Sequence, residues 1–343
     1  MVDVLIVGAG ISAATLAAVF RDHKLSVCIV DSRSHIGGNC YDYRSSGSYI
    51  HQYGPHIFHS TSNKVTEFVS RFTQWNDMEW TVSAEIKHKG KILQVPFPFS
   101  RLTEDTIGEK LTEQQVIDLF FRGYSQKMWG IGWDNLPQSI KGRVPKDTAE
   151  KPEYFPGQFV GIPKHGYTNM IGNMIDGAEV MLNVGPHEWK KIAAKRVVYT
   201  GRLDHLLSPQ GVSYGELLGD TQFRSLDIKF AIEDWGIKEH CKNFCHTDVK
   251  YTRKVRYQFT GGTSNIISTE MPKQASFDDP TPYYPIPTAN NIARHEALKT
   301  MVLSDNQMIL CGRLATYKYL DMYQAIGQAM GVAQTVLQSL SCA

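Results

Sequence analysis

Residues 2–13 read VDVLIVGAGISA, and this stretch decides the fold. Val2 to Val7 make a short apolar strand, and Gly8-Ala9-Gly10-Ile11-Ser12-Ala13 follows the G-x-G-x-x-G/A spacing. Gly8 permits a tight turn and Gly10 lets backbone approach a pyrophosphate. The N-terminus of the following helix, near Ser12, offers unpaired N–H groups and a favourable dipole to phosphate. Ala14 to Phe20 reads as helix and Leu25 to Val30 is apolar again. Asp31 closes that second strand, where a carboxylate accepts from both ribose hydroxyls. Strand, glycines, helix and acid agree on a βαβ dinucleotide-binding unit.

The 343 residues suffice for two intertwined units with a sizeable core. Lysine and arginine number 36 against 34 acids, a formal charge of +2, so no general field draws the chain to nucleic acid or lipid, and any anion site is local. Six scattered cysteines (Cys28, Cys40, Cys241, Cys245, Cys311, Cys342) lack the paired spacing of a zinc site and read as reduced thiols of a cytoplasmic protein. The opening MVDVLIVGAG has no basic region before its apolar run and suits a first strand better than a signal peptide. No run approaches membrane-spanning length.

Further along, strand-like pieces at Trp80 to Ile86 and Ile92 to Pro96 precede Thr112 to Trp129, a helix opened by a Thr112/Gln115 capping box. Residues 141–165, rich in Pro, Gly, Lys and Asp, read as a loop with mobile parts. A helix (168–176) and strands (178–183 and 196–199) follow. Residues 249–270 alternate around Gly261-Gly262 as a hairpin, Met308 to Leu314 reads as a buried strand, and Tyr323 to Leu340 as a closing helix.

The loop after Asp31 supplies Arg33, the Gly37-Gly38 pair and Asn39, which lets backbone run beside the second half of a long cofactor. A late strand through Gly312-Arg313 toward Asp321 closes over the same cofactor, so FAD is expected rather than NAD. The segment HQYGPHIFH (51–59) holds His51, His56 and His59. Gly54 and Pro55 prevent one helical face from presenting two ligands, which argues against a metal site. His51 reads as an ordinary strand residue.

These motifs, with RGYSQKMWG, RVP, GIPKHGYTNMI, VVYTGRLD, YTR, PYYP and GRLATYKYLDM, resemble the UDP-galactopyranose mutase family of bacterial type, from Val2 to about Ala329. The resemblance implies an α/β fold: a Rossmann-like FAD-binding domain with a small helical domain and an antiparallel β-sheet substrate domain. The implied boundaries are 1–80, 166–225 and 289–343 for the FAD domain, 81–100 and 226–288 for the sheet, 101–142 for the helical domain and 143–165 for a mobile loop. It implies an isomerase that interconverts pyranose and furanose forms of a nucleotide sugar, UDP-galactose first, through a sugar adduct on N5 of reduced FAD, with an external reductant. His56 and His59 would lie against the flavin, and Arg143 and Arg253 would clamp the departing diphosphate. Tyr154, Tyr284 and Tyr319 would offer hydroxyls to phosphate, while Tyr124, Trp129, Phe120 and Phe121 would stand near base and sugar. Gly201, Arg313 and Asp321 would go with the cofactor, Asp321 also bordering substrate. Glu270 matches a family carboxylate near the site.

Four positions depart from the family pattern: Thr66 for tryptophan, Val82 for asparagine, Asp147 for arginine and Arg202 for proline. Losing an amide at Val82 opens the door to related sugars such as UDP-N-acetylgalactosamine or TDP-fucose. The span from Phe99 to Tyr124 is shortened, which trims the surface used for dimerisation and leaves homodimer and monomer as alternatives. Two other readings compete: an amine-oxidase-type flavin oxidoreductase, and a nucleotide-sugar binding module without chemistry.

Overall fold

The structure, a computed structural model, describes residues 1–142, 149–185, 187–207, 222–263, 265–279, 281–303 and 308–341. Five parallel strands form the dinucleotide sheet, in the order Glu179–Met181, Val27–Val30, Val2–Val7, Ala194–Tyr199 and Met308–Leu310. Val27–Val30 is buried along its whole length, as a strand covered on both faces must be. One face packs against helices Ile11–Asp22, Gly166–Ile175 and Met322–Ser341 through Leu16, Phe20, Met170 and Ile326. The other packs against Trp189, Leu203, Leu298 and Val302. The helix Gly166–Ile175 receives a remote cap: the buried Asp42 carboxylate accepts from the N–H groups of Tyr167 (2.6 Å) and Thr168 (2.9 Å), a good place for an anion.

The second unit is a seven-stranded sheet, in the order Tyr284–Pro285, Phe223–Ile232, Ile266–Gln274, Arg253–Arg256, Cys241–Phe244, Val82–His88 and Lys91–Phe97. It is antiparallel except where Cys241–Phe244 runs parallel to Val82–His88. The hairpin read at 249–270 is present in altered form: Arg253–Arg256 and Ile266–Gln274 pair antiparallel, with a 3-10 turn at Tyr257–Thr260 before Gly261. Gly262 lies so close to Ser48 that an added Cβ would meet its Oγ at 2.0 Å.

Two expectations change. The region 143–165 is not all loop, because Phe159–Pro163 is the central strand of a small sheet between Phe58–Ser60 and Trp75–Asp77. The apolar reading Met308 to Leu314 ends its strand at Leu310; Gly312, with φ +86°, turns the chain into a short helix. The Thr112/Gln115 capping box is formed as read, but the helix it opens widens into a π turn over Ile117–Arg122 before resuming at Gly123–Trp129.

Candidate active site

The cofactor cleft is built from backbone approach. Gly8 has φ +108°, and its N–H donates to Val30 O at 2.7 Å. Gly10 and Gly38 touch: a Cβ on Gly38 would stand 2.9 Å from the Gly10 Cα. A side chain at Gly38 would push the two loops apart, and this close approach of glycine backbone is the kind of cradle that fits a dinucleotide. Asp31 Oδ2 accepts from the Ala9 N–H (2.7 Å) and Oδ1 from the Arg33 N–H (2.8 Å). Each oxygen keeps a lone pair for a ribose hydroxyl. Gly8, Gly10, Ser12, Asp31, Arg33, Gly38, Asn39, His56, Gly201 and Arg313 all line this one cleft.

Arg33 and Arg313 tie the cleft to its surroundings. Arg33 donates to Asn39 Oδ1 (3.0 Å) and lies over the Tyr53 ring. Arg313 donates to Tyr283 O (3.1 Å) and to Leu320 O, and stacks above Tyr319. Asp321 stands apart at the start of the last helix, where its N–H donates to Gln324 Oε1; Met322 and Ala325 line the cleft instead.

Arg253 lies close enough to His56, a lining residue of the cleft, for its charge to act on the ring. Its Nε donates to Glu270 Oε2 at 2.7 Å, on strands that place the two residues opposite each other. Tyr124 shares this neighbourhood with Tyr154, and burial lifts its phenol well above the ordinary tyrosine range. Half-buried His56 joins the two sides. Burial, then His51, Arg313 and Arg253, pull it down to about 3, so it is neutral at physiological pH. Its Nδ1–H donates to Gly54 O (2.7 Å), leaving Nε2 as an acceptor. His51 is a buried strand residue, as read, and its Nδ1 accepts from the His56 N–H (2.9 Å).

His59 does not line the cofactor cleft. It stacks on Phe155 at 4.1 Å, beside a second hollow bounded by Trp80, Tyr154 and Phe155. Trp129, Tyr284 and Tyr319 form an edge-to-face cluster with centroid separations of 4.8–5.6 Å. The Tyr284 hydroxyl donates to Met128 O at 3.0 Å, so in this arrangement its proton is committed to the helix end rather than to phosphate. Phe120 departs from expectation: it is 2 % exposed and packs with Phe97, Phe99 and Val116, a core position closed to a base. Phe121 is half-buried between Phe97 and Trp133. Arg143 and Asp147 lie outside the described residues. Val82 is buried in an apolar cluster with Trp80 and Cys241, and the Thr66 hydroxyl donates to Ser62 O one turn back at the start of its own helix.

Arg202, which departs from the family's proline, lines the cleft. Buried against the Phe223 ring, it pairs with Asp204 and donates to Ser276 O at 2.9 Å. Thr200 escapes a reading of the sequence, since only the fold shows it packed on Gly8. Among the described residues no cluster of His, Cys, Asp or Glu could hold a metal ion.

A Rossmann-type parallel sheet with a glycine cradle, joined to a second, mostly antiparallel sheet that carries the Arg253–Glu270 pair, defines a protein of the dinucleotide-binding class. Comparison with known proteins narrows this. A family model described as UDP-galactopyranose mutase matches residues 119–319, and one described as NAD(P)-binding Rossmann-like domain matches 6–72. A UDP-galactopyranose mutase of Mycoplasma pneumoniae is 30% identical, covering 98% of this chain and 96% of its own. A dTDP-fucopyranose mutase of Escherichia coli is 28% identical over 99% of both chains. A crystal structure of reduced UDP-galactopyranose mutase superposes with a TM-score of 0.71 at 13% identity, covering 100% of this chain and 96% of its own. The chain belongs to the UDP-galactopyranose mutase family, and is thereby an isomerase of nucleotide sugars.

Proposed function

We propose that the protein interconverts the pyranose and furanose forms of a nucleotide hexose with reduced FAD in the cleft, UDP-galactose being the first candidate substrate. The observation that carries this reading is Arg253, held by a buried Glu270 beside a half-buried His56 that lines the cofactor cradle. A bound reduced flavin supplies an electron-rich nitrogen able to attack an anomeric carbon.

The chain's own residues have three tasks. Glu270 takes the Arg253 Nε, which leaves the two Nη groups for a diphosphate. The Arg253–Glu270 pair is neutral overall, so it orients the leaving group without binding it too tightly to return. His56, depressed to about 3, is an acceptor at Nε2 and not a general base near neutrality. Tyr124, kept protonated, can donate to a phosphate or sugar oxygen. Arg143 fits the second phosphate contact by family resemblance.

A second substrate, dTDP-fucose, is favoured by the relative named dTDP-fucopyranose mutase, which matches this chain over nearly its whole length. Five described cysteines without disulfides suit a reducing, cytoplasmic setting, and no described helix is long and apolar enough to cross a membrane.

The test is to incubate dithionite-reduced protein with UDP-galactopyranose and dTDP-fucopyranose and to separate the products by chromatography. Furanose forms without stoichiometric reductant consumption are expected. Oxidised substrate with peroxide in step would replace this reading with an oxidase.

A further inference from the structure

Lys127 lies on the helix Gly123–Trp129, three residues after Tyr124. Its Nζ donates to Phe244 O (2.8 Å), His246 O (2.7 Å) and Tyr251 O (3.0 Å). An ammonium has three N–H groups, and all three are used. The three carbonyls come from the end of the strand Cys241–Phe244 and from the loop that returns into the strand Arg253–Arg256. The loop closes through Phe244 N–H to Thr252 O (2.8 Å), and Thr252 N–H then donates to Glu270 O (2.9 Å).

The helix is seated on this loop from a second point. Gly123 approaches it so closely that a Cβ would stand 2.4 Å from Cys245 O. At the other end Arg224 donates to Lys127 O and Met128 O, both at 2.9 Å. The helix that presents Tyr124 and Trp129 is therefore bound to the loop that delivers Arg253, and the joint is one ammonium.

We infer that Lys127 is a positioning residue for the reaction: it gathers loop 245–252 onto the helix and sets the distance between Tyr124 and the Arg253 fork. The inference rests on the role of Arg253 proposed above. A neutral amine or an apolar side chain cannot serve three carbonyls, so the joint requires the charged form. The groups facing it are Glu85 from the strand Val82–His88, itself bound to Lys242 (2.8 Å) and His246 (3.1 Å), the Cys245 thiol, and Arg224 at the helix end. Burial pulls the ammonium down to about 8 while Cys245 and Glu85 oppose it. The joint therefore loosens as pH rises through that region.

The experiment compares flavin-loaded Lys127→Met and Lys127→Arg with the wild type. Lys127→Met should keep its flavin, lower kcat by on the order of 10- to 100-fold and accelerate amide exchange of residues 245–253. Combined with Arg253→Ala it should cost no more than Arg253→Ala alone. Lys127→Arg should stay within about threefold of wild type, and the basic limb of its kcat/KM profile should move upward by more than about one pH unit, since guanidinium does not titrate there. Wild-type turnover in Lys127→Met, unchanged exchange at 245–253, or an unmoved basic limb in Lys127→Arg would each overturn the inference. Wild type inactive on both sugars would instead remove the proposed function, and the exchange measurement would still decide whether Lys127 is the joint.

Discussion

Arg253 and Glu270 stand opposite each other on neighbouring antiparallel strands, joined at 2.7 Å through Nε and Oε2, while the buried Oε1 has no hydrogen-bond partner among the described residues. The Glu270 side chain is 2 % exposed and that of Arg253 29 %, so the arginine is the member of the pair that solvent or a ligand can reach. An unpartnered buried acceptor is costly unless a donor arrives with the ligand.

The first prediction follows from that asymmetry. Arg253→Ala should lower kcat/KM by about 10²-fold or more while flavin stays bound, since one lost charge-assisted donor has that order of effect. Glu270→Gln keeps the shape and removes the counter-charge, so UDP should bind more tightly and turnover should slow. Fluorescence titration with UDP and steady-state rates check both; an Arg253→Ala protein with wild-type rates contradicts the assignment.

Gly38→Ala tests the cradle. The new Cβ would press on the Gly10 Cα at 2.9 Å, with backbone on both sides and little room to yield. We expect purified Gly38→Ala to have lost most of its flavin absorbance relative to protein absorbance. Retention of a full complement would show that the pyrophosphate lies elsewhere.

Five histidines give a pH dependence of stability. Burial depresses His51 and His56 to about 3 and lowers His205, His240 and His295 as well. In the unfolded chain each binds a proton near pH 6.5, so below that pH the unfolded state carries more protons than the folded one, and stability rises with pH. The contribution is present above about 6.5 and is lost progressively as pH falls toward the folded values. Thermal melts should show Tm falling from pH 7 to pH 5, and replacing His51 by Asn should flatten the slope. A Tm constant over that interval would mean these rings are not held neutral.

Tyr284→Phe separates two roles for one hydroxyl. If the bond to Met128 O is its task, the variant loses about 1 kcal/mol of stability and changes turnover by less than about threefold, which is the expected outcome. A loss of two orders in turnover with unchanged stability would assign the hydroxyl to the substrate.

The dinucleotide unit was legible because its determinants are local. Gly8, Gly10 and Asp31 act within one βαβ turn, and Thr112 with Gln115 caps its helix three residues apart. What escaped reading depends on distant partners. No periodicity shows that Phe120 faces Phe99 rather than a ligand, because the π turn at Ile117–Arg122 resets the register of the helix midway. Likewise Arg202 looks like any surface cation until the fold brings Ser276 and two phenylalanine rings around it. The strand Phe159–Pro163 escaped because Gly161 and Pro163 read as loop residues, and only pairing on both sides makes it a strand.

The first strand of the dinucleotide sheet, Val2–Val7, finds one neighbour at Ala194–Tyr199, and that neighbour in turn finds Met308–Leu310 near the end of the sequence. Ribosomes add roughly 5–20 residues each second, so the opening strand waits roughly 15–60 s before the last parallel partner emerges. During that interval the apolar runs that will become the centre of the sheet have an open edge and invite pairing with other nascent chains. Biogenesis of this protein should therefore be sensitive to holding chaperones and to C-terminal truncation, more than its final compactness suggests.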